Sequence, residues 1–110
     1  MIDNSHLPAC PVETTLLFLS DKWKVLIFRE LLNGSKRNSE LLHALPPISQ
    51  KVLTHNLRDL EDKGMISRKV YPVVPPMVEY SLTALGKTMI PVINAMKQWG
   101  LAYKEKYEEK

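Results

Sequence analysis

The sequence predicts a mainly α-helical single domain, residues 1–110, with one small β-hairpin, an α+β arrangement. Three observations predict it. Apolar residues recur at threes and fours through most of the 110 residues. The pair Pro46-Pro47 followed by Ser49 ends one helix and starts another. After Gly64 the period changes to that of strands, and a last helical stripe then closes the chain.

Val12, Leu16, Leu17 and Leu19 give a short helix after Pro11, and Trp23, Leu26, Ile27, Leu31 and Leu32 give a second. Asn33-Gly34 ends it, glycine supplying the left-handed residue that helix C-termini favour. Ser39 to Leu45 forms a two-turn helix with Leu41, Leu42 and Leu45 inward. From the Ser49 cap a helix runs from about Gln50 to Lys63. Its Leu53, Leu57 and Leu60 share one narrow arc, and Lys51, His55, Arg58 and Asp62 lie opposite. Ile66–Tyr71 and Val78–Leu82 read as two strands, joined through a stiff tip containing Pro72, Pro75 and Pro76. Thr83 caps one long last helix carrying Leu85, Met89, Ile90, Ile93, Met96 and Trp99, with Pro91 near its start or at a kink. That apolar stripe exceeds what so small a core needs, which favours pairing with a second subunit.

The composition, 45% hydrophobic and 25% charged, is that of a soluble globular protein. Its apolar runs are too short to cross a bilayer and MIDNSHLPACPVE lacks a secretory pattern, so no membrane partner and a cytoplasmic location are expected. One cysteine excludes an internal disulfide, and three scattered histidines leave no metal spacing. His43 and His55 lie on different helices and His6 in the amino-terminal tail, so no catalytic order assembles and neither an enzyme nor a cofactor is expected. The net charge of +3 permits a nucleic-acid partner, and basic residues outnumber acidic ones between Ser35 and Lys69.

Short helix, tight turn, longer helix and hairpin is the order of a winged helix-turn-helix, whose second helix enters the major groove of duplex DNA. Ser49, Gln50, Lys51, Thr54, His55 and Arg58 are the candidate readers on that helix. Lys36 and Arg37 before the short helix, and Arg68 and Lys69 on the first wing strand, suit the sugar-phosphate backbone. Arg58 could instead pair with Asp62, and Arg68 with Glu79 across the hairpin. A winged helix used for protein contact or RNA is the alternative function.

The chain resembles the HxlR-type regulators, bacterial winged-helix proteins related to the MarR group. The resemblance rests on Cys10-Pro11, Lys22-Trp23, Gly34 with Arg37, Glu40 and Leu41, ISQKVLTHNLRDLEDKGMISRKVYP, VPPMVEYSLTALG and Trp99-Gly100. The run from Pro75 to Gly86 is the most specific. The resemblance implies a homodimer built from the N- and C-terminal helices, bound to an inverted repeat in double-stranded DNA. Leu16, Ile90, Ile93, Met96, Trp99 and Tyr103 are the dimer candidates, with Trp23 a core or dimer residue. It further implies DNA reading by Ser49 to Arg58 and a wing from Arg68 to Met77.

Two departures stand out. Asn38 replaces the family's usual aromatic, which loses apolar burial and gives a looser start to the short helix that its side chain could cap, and Val73, Val74 and Met77 make the wing tip almost wholly apolar. Some relatives respond to oxidants or electrophiles through a cysteine at the position of Cys10. At a helix threshold Cys10 meets a partial positive charge that stabilises an anion, which makes it the redox-sensing candidate. An effector ligand is left unassigned.

Overall fold

The computed structural model describes residues 7–108, without the Glu108 side chain; His6 and the start of the amino-terminal segment lie outside the described residues. The elements are α1 (Pro11–Leu19), α2 (Lys22–Leu31), β1 (Lys36–Arg37), α3 (Asn38–Ala44) and α4 (Gln50–Asp62). They continue as β2 (Ile66–Tyr71), β3 (Met77–Leu82), α5 (Ala84–Lys87) and α6 (Ile90–Glu108). No helix among the described residues is long and apolar enough to cross a membrane.

Side-chain caps fix three helix starts by satisfying free backbone donors. Asp21 accepts from Trp23 N–H at 2.8 Å, Ser49 from Val52 N–H at 3.1 Å, and Thr83 from Gly86 N–H at 3.0 Å. At the end of α4, Gly64 takes φ +79° while Met65 N–H donates to Leu60 carbonyl at 2.9 Å. This closing bond turns the chain from helix into the wing.

Three expectations are corrected. The last helix is broken: Thr83 caps only the short α5, and a turn at Thr88-Met89 precedes α6. Pro91 is the second residue of α6, where a missing N–H removes no helical bond. Asn38 is the first residue of α3 and not its cap; the Glu40 carboxylate instead accepts from Arg37 N–H at 2.8 Å. The hairpin has a third strand, because β1 pairs with β3 to give the antiparallel order β1-β3-β2.

The core lies between α2, α3, α4 and one face of this sheet. Ile27 and Phe28 from α2, Leu41 from α3, and Leu53, Leu57 and Leu60 from α4 are buried against Ile66, Tyr80 and Leu82. Met89 and Ile93 close it from below α5. Gly86 presses α5 onto the chain at Met65: a β-carbon there would overlap the Met65 carbonyl. Thr83 reinforces the contact, its hydroxyl donating to Gly64 carbonyl at 2.6 Å while its N–H donates to Met65 carbonyl at 3.1 Å.

Candidate nucleic-acid interface

The helix α4 carries two faces because its sequence does. Leu53, Asn56, Leu57 and Leu60 are buried, whereas Gln50, Lys51, His55 and Arg58 are exposed on the other side with Thr54 half-buried between. Gln50 Nε2 donates to Thr54 Oγ1 at 2.9 Å, tying two of the outward polar groups together. Ser49 spends its acceptor on the helix cap and leaves its hydroxyl proton for a partner. Arg58 makes no ion pair with Asp62 or with any other described residue.

A buried polar cluster holds α4 on α2. Lys24, 7% exposed, donates to Asn56 Oδ1 at 2.9 Å and lies 3.3 Å from Asp59 Oδ2. Asn56 Nδ2 donates to Val52 carbonyl at 3.0 Å, and Lys63 donates to Asp59 at 2.7 Å. Leucine packing alone tolerates sliding and rotation, whereas these directional bonds fix the register of α4. Lys24 and Asn56 were not among the sequence candidates. A signal existed: each sits on the apolar stripe of its helix, Lys24 with Ile27, Phe28 and Leu31, and Asn56 with Leu53, Leu57 and Leu60.

Replacing Asn56 by alanine should therefore destabilise the fold by roughly 2–3 kcal/mol, because the Lys24 ammonium stays buried without its nearest acceptor. The double variant Lys24→Met/Asn56→Leu should recover most of that in urea unfolding; equal losses in single and double variants would refute the coupling. Burial raises the Asp59 pKa, but hydrogen bonds from Lys63 and Lys24 and their charges outweigh it and hold the carboxyl below its ordinary 3.8. A depressed folded pKa stabilises fully above the unfolded value and loses that contribution as pH falls through the folded one. Asp59→Asn should accordingly flatten stability against pH in the acid limb below about 4.

The sheet register divides the basic wing residues between two faces. Lys36 and Arg68 flank Tyr80 from either side in one row, and Arg37 and Lys69 flank Glu79 in the next. Side chains alternate along a strand, so the first row turns toward α4 and the second turns away. Arg68 thus does not face Glu79; its Nε lies 3.8 Å from Glu61 Oε1 on α4. Lys69 is opposite Glu79 and over the Tyr71 ring at 4.8 Å, while Tyr71 donates to Glu79 at 3.1 Å. Beyond them the tip projects, with Val74 99% exposed.

Cys10 caps α1 with its backbone and is exposed. No group of metal-ligating side chains occurs among the described residues. Of the dimer candidates, Leu16, Met96, Trp99 and Tyr103 are exposed, and Ile90 is half-buried. Ile93 is the exception: at 6% exposure it belongs to the core of the chain itself. Trp23 is half-buried beneath the Lys22 ammonium, whereas Trp99 is 70% exposed. Along α6, Trp99 stacks on Tyr103 with ring centres 5.3 Å apart, and Tyr103 meets Tyr107 at a tilt with centres 4.6 Å apart. Helix α1 has no fully buried residue, only Phe18 and Leu19 packing partly buried against the core.

The sequence profile of the HxlR-like helix-turn-helix proteins matches residues 18–108. The HTH-type transcriptional regulator YdeP of Bacillus subtilis is 49% identical over 100 residues, spanning 91% of this chain and 78% of YdeP. Among solved structures, the redox regulator HypR in its reduced form superposes with a TM-score of 0.84 at 42% identity, covering 92% of this chain and all of that one (100%). Reduced YodB of B. subtilis, a transcriptional regulator, gives 0.73 at 33% identity, covering 93% of this chain and 97% of YodB.

Proposed function

The chain belongs to the HxlR-like helix-turn-helix family of transcriptional regulators, which are not enzymes, and on that premise we propose that it acts as a cytoplasmic homodimer on an inverted-repeat DNA operator. The observation that carries this reading is the outer face of α4, where Gln50, Lys51, Thr54, His55 and Arg58 stand clear of the core at the helix that follows the turn. Amide, hydroxyl and imidazole groups read base edges, and the cations meet phosphates. Ser49, Lys36 and Arg68 hold the flanking backbone on the α4 side of the wing, and Arg37 and Lys69, whose row turns away from α4, meet phosphates past the wing's edge. Apolar surface left open on α1 and α6, including Leu16, Met96, Trp99 and Tyr103, supports pairing of the chain ends.

Selection from a random duplex pool tests it. Enrichment of an inverted repeat with half-sites about 10 base pairs apart, bound with an affinity that falls steeply with salt, is expected. No enrichment, or equal binding of single-stranded RNA, would overturn the reading in favour of a protein-contact or RNA module.

The same proposal gives Cys10 a signalling role, supported by its exposure at the head of α1 and by HypR, solved in oxidised and reduced forms. Without a second cysteine, the switch is a Cys10–Cys10 bridge between subunits, a mixed disulfide or alkylation. In the bridge, two thiols give two electrons and two protons to the N=N bond of diamide. Diamide should change duplex affinity of the parent about tenfold or more and leave Cys10→Ser unmoved. An equal response in both would remove Cys10 from the mechanism.

A further inference from the structure

A small cleft of about 140 Å³ opens where the middle of α4 meets the wing, lined by Thr54, Arg58, Glu61, Arg68 and Tyr80. Thr54, Arg58 and Glu61 are spaced at four and three residues, so they share one face of α4. Arg68 and Tyr80 are direct cross-strand partners, so they share one face of the sheet. Two guanidinium groups, a phenol and a hydroxyl thus converge, opposed by one carboxylate.

We infer that this cleft seats a single phosphate of the DNA backbone, and that Glu61 guards the seat by holding Arg68 until the phosphate replaces it. The inference rests on the DNA reading above. The Arg68–Glu61 contact is loose, 3.8 Å between Nε and Oε1, and both side chains are substantially exposed, 47% and 37%. A pair of that kind contributes little and exchanges readily for a shorter, charge-assisted bond to phosphate. Arg58 makes no ion pair among the described residues and supplies the second cation. The Tyr80 ring is packed in the core at 8% exposure and its oxygen accepts from Asn38, which leaves the phenolic proton to be donated into the cleft. Glu79, the carboxylate of the wing itself, lies in the neighbouring row and turns away.

Guarding has a consequence for specificity. With Glu61 present the seat carries one net positive charge, so an arbitrary phosphate gains little; with α4 fully docked, base contacts add to the phosphate bond and displacement becomes favourable. Neutralising the guard should raise affinity for any duplex and erode the preference for the operator.

Duplex binding by the full chain tests this, with an operator duplex and a scrambled duplex across a salt series. Glu61→Gln should bind the scrambled duplex about tenfold more tightly and steepen the log–log salt dependence by about one per subunit. Tyr80→Phe keeps the ring in the core and should weaken both duplexes several-fold at an unchanged melting temperature. Scrambled-duplex affinity and salt slope that Glu61→Gln leaves at parental values overturn the guarded seat alone. A parent chain without duplex affinity overturns the DNA reading, and the seat with it.

Discussion

Gly86→Ala is expected to lower stability by roughly 3 kcal/mol or more, and the thermal midpoint by about 12 °C or more. The added methyl group meets the Met65 carbonyl, a backbone atom that cannot swing aside as a side chain would, with the Leu82 side chain close behind. Relief requires α5 to lift away from Met65. That movement pulls on the Thr83 bonds to Gly64 and Met65 carbonyls, which tie the end of the wing to the end of α4. The variant should therefore lose operator affinity even at temperatures where it is still folded, because the helix and wing no longer share one frame. Thermal unfolding followed by circular dichroism checks the first part. A midpoint within a few degrees of the parent would show that α5 is not packed as tightly as described.

The double charge reversal Lys51→Glu/Arg58→Glu should abolish duplex binding at moderate salt, a loss of roughly a thousandfold or more. Each change converts a cation proposed to face phosphate into an anion, and in the proposed dimer every change is present twice. Both side chains are exposed on α4 and neither makes an ion pair among the described residues, so stability should move by no more than about 0.5 kcal/mol. That separation between binding and folding is what makes the experiment decisive. Duplex affinity at the parental level would mean that α4 is not the reading element. Loss of the dimer together with DNA binding would move these residues into the subunit contact.

Elements set by a single repeating pattern were legible in the sequence. The leucines of α4 between the Pro46-Pro47 stop and Gly64 define both its limits and its two faces, and period-two alternation defines β3. Features that depend on a distant partner were not. β1 is two residues long and exists only because β3 lies beside it, so Lys36-Arg37 carries no strand signal of its own. The split between α5 and α6 came out as one helix because Thr88 and Met89 do not break the stripe; Pro91 marked the place without fixing which side of it the helix began. Arg68 finds Glu61 and not Glu79 because the strand register places it opposite Tyr80. Ile93 sits on the stripe that suggested an interface, yet the chain's own core claims it. The outward residues of α4 were legible as a group; the division of the wing cations between two faces required the three-dimensional register.

The strand order β1-β3-β2 leaves β2 as the long outer strand of the sheet, with Ser67, Arg68, Lys69 and Val70 exposed along it. An unpaired strand edge invites a second copy to add on by backbone hydrogen bonding, and charged side chains and proline are the usual deterrents. Arg68 and Lys69 in mid-strand and Pro72 just past its end are those deterrents here. The cations proposed to hold DNA therefore also keep the free protein from self-associating through its wing, and variants that neutralise both will need to be checked for aggregation before their DNA affinity is interpreted.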